Sequence, residues 1–359
     1  MKTVHEDVKR ELTQILSGLD PRETKKLHVV CTPSFYLDHF VQVGDLSAFC
    51  GQLRTKYEGN GGNIPGFVQN VLSGGGAVNT AIALSRLGLS SHFIGRTSEF
   101  GYHVLKFFAQ MSGMDVSHVK TDGRLGQTLA IEIGERKVNV MLNDVGSNYD
   151  FAFDSLRDTD LELIESCQLV TMHDWGTNAV GGTDLAVKTF EYAKQYNVKT
   201  YFDSADPSPR VNELPELFEL VIANKNLDMM SLNHNELGKH TGEATIERAI
   251  AFKQRMTSRI DYHTPWYTAS IDDDNVTIFP VFDVELHRST GAGDAWNAGN
   301  IFGELLGLAP ASRLCLANAV AGYYISNKRA AHPTVDDLIA FIKVVQLRTL
   351  PSEVASSNS

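Results

Sequence analysis

Positive charge is in short supply along this chain. Its 359 residues carry 32 Lys+Arg against 43 Asp+Glu, a formal net charge of -11, and a nucleic acid or an anionic membrane surface needs a dense basic face that this balance does not supply. Neither is expected as a partner. Cysteine is scarce too. Cys31, Cys50, Cys167 and Cys315 lie far apart with no Cys-x-x-Cys spacing, which argues against a zinc site or a disulfide framework and places the protein in a reducing cytoplasm. No apolar run is long enough to span a bilayer, and His5, Glu6, Asp7 and Lys9 interrupt the start of the chain where a signal peptide would be uniformly apolar.

A hydrophobic content of 43% over this length suits one large α/β domain with at most a small appendage. Val4, Val8, Leu12, Ile15 and Leu16 fall on one helical face, so residues 1–26 are expected to hold an accessory helix. From Gly88 onward, β-rich runs such as Leu169–Met172, Val198–Phe202 and Met229–Leu232 alternate with helical stretches, the pattern of βαβ units around a parallel sheet covered on both faces. Gln127–Ile133 and Lys137–Leu142 surround Gly134-Glu135-Arg136 with no helix between them and predict a hairpin projecting from the core. Gly59–Gly66 can only be a loop, lining a pocket or crossing the surface. The main domain is assigned to residues 27–348 and a disordered tail to 349–359.

The most informative segment is Ser289-Thr290-Gly291-Ala292-Gly293-Asp294. Two glycines around a small residue let consecutive amides point outward, and a helix starting near Asp294 adds its positive end, which together make an anion pocket. A carboxylate beside such a pocket is repelled by its ligand unless it takes a proton from a group attacking that anion, and a hydroxyl attacking a phosphate fits. Taken alone, a glycine turn before a small-residue helix is often only close packing. A second segment, Ser73-Gly74-Gly75-Gly76-Ala77-Val78-Asn79, strengthens the case. Together the two resemble the paired signatures of the ribokinase-like (PfkB) family of carbohydrate and nucleoside kinases. Asp38, the Phe202-Asp203 to Arg210 segment, Asn233-His234-Asn235-Glu236, Asn318-Ala319-Val320-Ala321 and Pro333-Thr334 resemble further family motifs in the same order.

The resemblance implies a three-layer α/β/α fold with a mostly parallel sheet and a small β lid from residues near 37–43 and 127–142, through which two copies can pair. It implies ATP and Mg2+, with a sugar or a nucleoside as acceptor. Asp294 would be the base and Gly291, Ala292 and Gly293 the anion hole; Asp38, Gly74, Gly75 and Asn79 would bind the acceptor. Asn233, Glu236, Thr268, Ser270 and Asn318 would serve the nucleotide, Glu236 also holding the metal through water. Read without the resemblance, Asn233 with Glu236 is a helix cap and Asn79 caps a helix beginning at Thr80. Trp175, beside His173 and Asp174, is a core aromatic or a stacking platform. Lid-edge Arg124 or Arg136 would suit a sugar acid, whereas Phe35, Tyr36 or Phe40 would suit a nucleobase. A catalytically weak metabolite sensor is the alternative of another class.

Three departures stand out. Ser98 and Glu99 replace a usual glycine and aspartate. Asp272-Asp273-Asp274 follows Tyr267-Thr268-Ala269-Ser270 where the family has a glycine-rich turn, and it would repel a nucleotide unless turned to solvent. Arg288 replaces the acid with which many relatives help hold a monovalent cation, so it either stands in for that ion or points to solvent.

Overall fold

The β-rich runs assemble into an eight-stranded sheet in the computed structural model, which describes residues 2–135 and 138–355. In chain order the strands are β1 His28–Thr32, β2 Tyr36–Val43, β3 Gln69–Gly74, β4 Ser90–Phe93, β5 Gly95–Arg96, β6 Val119–Lys120, β7 Gly126–Ile133, β8 Val138–Asp144, β9 Leu169–Met172, β10 Lys199–Asp203, β11 Met229–Asn233, β12 Arg259–His263, β13 Tyr267–Ile271 and β14 Val276–Pro280. The large sheet runs β14-β13-β12-β11-β10-β9-β1-β4. Every pair from β4 to β12 is parallel, and β13 is antiparallel to both of its neighbours.

Both faces of the sheet are buried, as a parallel sheet requires. Val29 and Cys31 join a cluster with Leu84, Trp296 and Leu316, while Val30 between them joins Val170, Phe202 and Leu232 on the opposite side. Helices therefore cover both faces, and this is the three-layer α/β/α fold expected from the sequence. Because the core strands are parallel, the ends of β1, β9, β10, β11 and β12 share one rim. Ligands of open α/β sheets bind on that rim.

A second sheet has the order β3-β2-β7-β8, with β2 and β7 parallel and the other pairs antiparallel. It contains the expected hairpin and the expected strand near 37–43; Arg136 and Lys137 lie outside the described residues. Burial along β7 alternates strictly, with Thr128, Ala130 and Glu132 buried on the face they share with Asp38 and Phe40. The small sheet is thus a two-sided plate with one side against the body.

At the N-terminus, helix Lys2–Ser17 inserts Leu12 and Leu16 into the core, and Lys9 Nζ donates to Val345 O at 3.1 Å. Val4 remains exposed, so the packed face begins one turn later than the apolar periodicity suggested. The 59–66 loop is mostly exposed and follows helix Leu46–Glu58, which has no buried residue. The disordered tail is corrected over Ser352–Ala355, a helical turn whose Val354 packs with Leu350 into the core. Spacing of i and i+4 puts those two apolar residues on one side. Residues 356–359 lie outside the described residues.

Candidate functional site

Gly291 starts the candidate anion pocket. Its φ of 81° is left-handed, and a Cβ there would stand 2.7 Å from Tyr324 Oη, so the turn needs glycine on both counts. Helix Ala292–Leu305 follows at once, and its first-turn amides have no intrahelical acceptor. Of the three amides named from the sequence, that of Ala292 is engaged by Ser289 O at 3.2 Å. One turn into the rim sits Asp294, whose Oδ2 accepts from Asn79 Nδ2 at 2.9 Å. Burial, reinforced by the charges of Asp174, Asp203 and Asp38, pushes its carboxyl up to about 7, with the Asn79 hydrogen bond pulling the other way.

Asn79 reaches Asp294 because helix Gly76–Arg86 begins at Gly76, four residues ahead of the expected start. Asn79 is therefore interior to the helix and caps nothing. Thr80 Oγ1 donates to Asp294 O at 3.3 Å, locking this helix to Ala292–Leu305. Asp38 projects from β2 directly over Gly74, where any Cβ would overlap its carboxylate atoms, and its Oδ1 is buried without a hydrogen-bond partner. Burial raises the Asp38 carboxyl to about 6 against an opposing hydrogen bond from Thr128. Gly75, at φ 92°, leaves no room for a Cβ beside Ser34 O.

Asp174 went unassigned in the sequence. It adopts φ 58° just past β9 and accepts from Ser34 Oγ and from Gly76 N at 2.7 Å, which fastens the glycine run to the central rim. Its neighbour His173 is buried, with Nε2 hydrogen-bonded to Thr171 Oγ1 at 2.9 Å and Nδ1 without a partner. The only clue was position: a strand-end His-Asp pair. Trp175 is a core residue, with its Nε1 on Thr183 Oγ1 and the Arg210 guanidinium 3.9 Å above its ring.

Asn233 and Glu236 form a complete capping box at the start of helix His234–Thr241, Asn233 N donating to Glu236 Oε2 at 2.8 Å and Glu236 N to Asn233 Oδ1 at 3.0 Å. The capping interpretation is therefore correct as local structure. It also fixes Glu236 in a field of acids, and burial with Asp203 as the nearest strong charge holds its carboxyl well above the usual range. His173, Asp203 and Asp294 present ligand atoms within 4.8 Å of one another. A donor set dominated by carboxylate oxygens, mutually repelling and half starved of water, fits a hard divalent cation such as magnesium.

Beside the anion pocket opens a cavity of about 460 Å³ that runs from Ala292 and Gly293 past Asn233, Thr268 and Asn318 to Arg348. Thr268 and Asn318 shape its wall through their mutual hydrogen bond, Asn318 Nδ2 to Thr268 Oγ1 at 3.1 Å. Ser270 is a correction. Its hydroxyl accepts from Arg313 Nη2 at 2.7 Å inside a buried network, and it does not reach the cavity. The cause is strand direction: β13 runs antiparallel, so its first residues stand at the rim and later ones recede. The same geometry carries Asp272–Asp274 to the far end, where Asp273 pairs with Lys253 and none of the three faces the cavity. Trp296, stacked on His263 at 4.7 Å, and Arg348 are lining residues that the sequence did not single out.

Arg288 does not point freely to solvent. Its Nη2 donates to Lys328 O at 3.3 Å and its Nε is buried. Ser98 caps helix Glu99–Ser112 by accepting from Gly101 N at 3.1 Å, a structural use for that departure. Arg124 pairs with Asp144 at the exposed hairpin edge, and Phe35 is core.

A glycine-built anion pocket, a carboxylate within it and a large cavity alongside, all on the rim of a three-layer sheet with a small second sheet, define a phosphotransferase with an alcohol acceptor. The chain belongs to the pfkB family of carbohydrate kinases, whose pattern matches residues 54–337. A 5-dehydro-2-deoxygluconokinase of Clostridium beijerinckii is 24% identical over 288 residues, covering 75% of this chain and 84% of the relative. One from Geobacillus thermodenitrificans is 22% identical over 290 residues, covering 76% and 85%. Among solved structures, Arabidopsis thaliana ribokinase complexed with ribose and ATP has a TM-score of 0.69 at 18% identity, covering 88% of this chain and 98% of its own. Adenosine kinase from Sinorhizobium meliloti reaches 0.71 at 14% identity, covering 93% and 99%.

Proposed function

We propose that this carbohydrate kinase transfers the γ-phosphoryl group of ATP to a sugar hydroxyl, with Asp294 as general base and the amides of Gly291 and Gly293, with Ala292 between them, as the anion hole. The observation that carries the assignment is a carboxyl held near neutrality, hydrogen-bonded to Asn79 and set at a helix N-terminus whose turn admits only glycine. A general base works best when its pKa lies near the operating pH. Asp38 and Asn79 orient the acceptor, Gly74 and Gly75 let it approach the backbone, and the 460 Å³ cavity takes the nucleotide. Magnesium, when bound, would neutralise charge on the transferring phosphates. Asp203, and Glu236 through water, would hold it. The names of the curated relatives favour a sugar over a nucleoside. Measuring ATP consumption against neutral sugars, keto-sugar acids and nucleosides tests the assignment, and turnover of nucleosides alone would overturn it.

Repulsion of a nucleotide by Asp272–Asp274 would have favoured the sensor alternative, but the three stand away from the cavity. The outer face of the small sheet exposes Leu129, Val140 and Leu142, with Val71 beyond His39, an apolar surface suited to pairing with a second copy. Among the described residues no helix is long and apolar enough to cross a membrane, and the four cysteines are free; a reducing cytoplasm suits them.

Two expectations follow for the assay. With Asp294 titrating near 7 in the free enzyme, kcat/KM should rise about tenfold per pH unit below pH 7 and level off above it, because only the ionised carboxylate accepts a proton. A flat profile from pH 5 to 8 would remove Asp294 as the base. With the Arg288 guanidinium already bonded to the Lys328 carbonyl, turnover should be the same in potassium, sodium or tetramethylammonium at constant ionic strength. Strong potassium activation would show that Arg288 replaces no ion.

A further inference from the structure

The assignments above leave a second, smaller cavity without a role. It measures about 110 Å³ and lies between the body-facing side of the small sheet, at Phe40, Leu72 and Glu132, and the basic residues Arg288, Lys328 and Arg329. Its place is specific. Leu72 is the register partner of Asp38, and Phe40 stands two positions along the same face of β2. One strand repeat, about 7 Å, therefore separates the Asp38 carboxylate from the cavity floor. On the opposite wall the Arg288 guanidinium lies 5.8 Å from the ring of Tyr324, whose hydroxyl adjoins Gly291. The cavity thus adjoins the proposed acceptor site one strand repeat beyond Asp38.

The lining is built for negative charge. Half-buried Arg288 and exposed Lys328 and Arg329 line it with a single acid, Glu132, and among the described residues none of the three cations has a salt-bridge partner. Arg288 Nε is buried with no hydrogen-bond partner, a guanidinium donor without an acceptor. A buried unsatisfied donor is costly unless a ligand completes it. We propose that this cavity receives an oxyanion carried by the acceptor at the end remote from the phosphorylated hydroxyl, so that the preferred acceptors are acidic sugars. A carboxylate is the group assigned, since its planar pair of oxygens matches a guanidinium edge. A phosphate ester shares the chemistry. The proposal rests on the kinase assignment and replaces the lid-edge arginines as the acid-recognising groups: Arg124 is neutralised by Asp144, and Arg136 lies outside the described residues.

The test compares kcat/KM, with ATP as donor, for a keto-aldonic acid, a hexose phosphate and the matching neutral hexose. The acid should exceed the neutral sugar by at least about tenfold, mainly through KM, as expected for a charge-assisted hydrogen bond of 1.5–3 kcal/mol. A hexose phosphate winning instead would overturn the carboxylate while keeping the oxyanion. In K328A/R329A, and separately in Arg288→Gln, the acid-to-neutral ratio should collapse toward one; Arg288→Lys should restore part of it. Direct titration of Asp294→Asn with sodium gluconate supplies a readout that needs no turnover. Equal use of acid and neutral sugars, with a ratio indifferent to these variants, would overturn the anion cavity and leave the kinase assignment standing. Gluconate binding that depends on Lys328 and Arg329, without ATP consumption for any acceptor, would do the reverse.

Discussion

Asp294→Asn should lower kcat by at least about a hundredfold and at the same time make the ligand-free protein more stable at pH 8. The first effect is the usual contribution of a general base, 10²–10⁴. The second follows from the raised carboxyl. The folded chain keeps this proton to about pH 7, whereas the unfolded chain releases it near 3.8, so stability is lost as the pH rises through that interval. The full difference corresponds to ~4 kcal/mol at 1.36 kcal/mol per pH unit. Because the carboxyl opens partly onto the cleft, about 2 kcal/mol is expected, or roughly 5 °C in Tm. Asparagine preserves the acceptor for Asn79 Nδ2 and removes the charge. Thermal scans at pH 5 and pH 8 check it: the stabilisation should appear at pH 8 and fade at pH 5. Retention of more than a tenth of wild-type turnover would exclude Asp294 as the base.

Gly74→Ala should behave as if Asp38 had been deleted. A methyl at position 74 occupies the volume of the Asp38 carboxylate, and that carboxylate is the movable end of a side chain, so the fold accommodates the change by displacing it. Losing a charged hydrogen-bonding partner for a sugar hydroxyl amounts to about 1.5–3 kcal/mol, a 10- to 150-fold rise in acceptor KM. Nucleotide affinity should stay within about twofold, because position 74 does not line the cavity proposed for the nucleotide. Separate calorimetric titrations of acceptor and nucleotide on Gly74→Ala and Asp38→Ala distinguish the two sides. Equal weakening of both ligands would mean that the small sheet has come loose, not that one carboxylate has moved.

What could be read from the sequence divides along physical lines. The parallel core was legible because β-rich runs alternate with helical stretches, and the hairpin because two β-rich runs flank Gly134-Glu135-Arg136 with no helix between them. Asp294, Gly291 and Gly293 were legible because a chain can build an anion pocket locally, from one turn and one helix end. Ser270 was misplaced for the opposite reason. Whether a strand end faces the rim depends on its direction in the sheet, and nothing within Tyr267–Ile271 encodes that β13 runs backwards. Asp174 was invisible as a fastening for Gly76 because the two are joined only across 98 positions of chain. Asn79 was read as an acceptor-binding residue, with a cap as its reading without the resemblance; the cap fails because one extra turn of helix cannot be seen where Gly75 stands at the N-cap.

The bond between Asn79 and Asp294 links recognition to reactivity. While the amide holds Oδ2, the carboxylate is a weaker proton acceptor than its surroundings alone would make it. On the proposed assignment, an acceptor that claimed the Asn79 amide for its own hydroxyl would withdraw that restraint, and the base would strengthen only once a sugar had arrived. A lone water, with no second hydroxyl to engage the amide, meets the muted carboxylate. Idle hydrolysis of the nucleotide would then be held back by the same contact that is proposed to read the sugar.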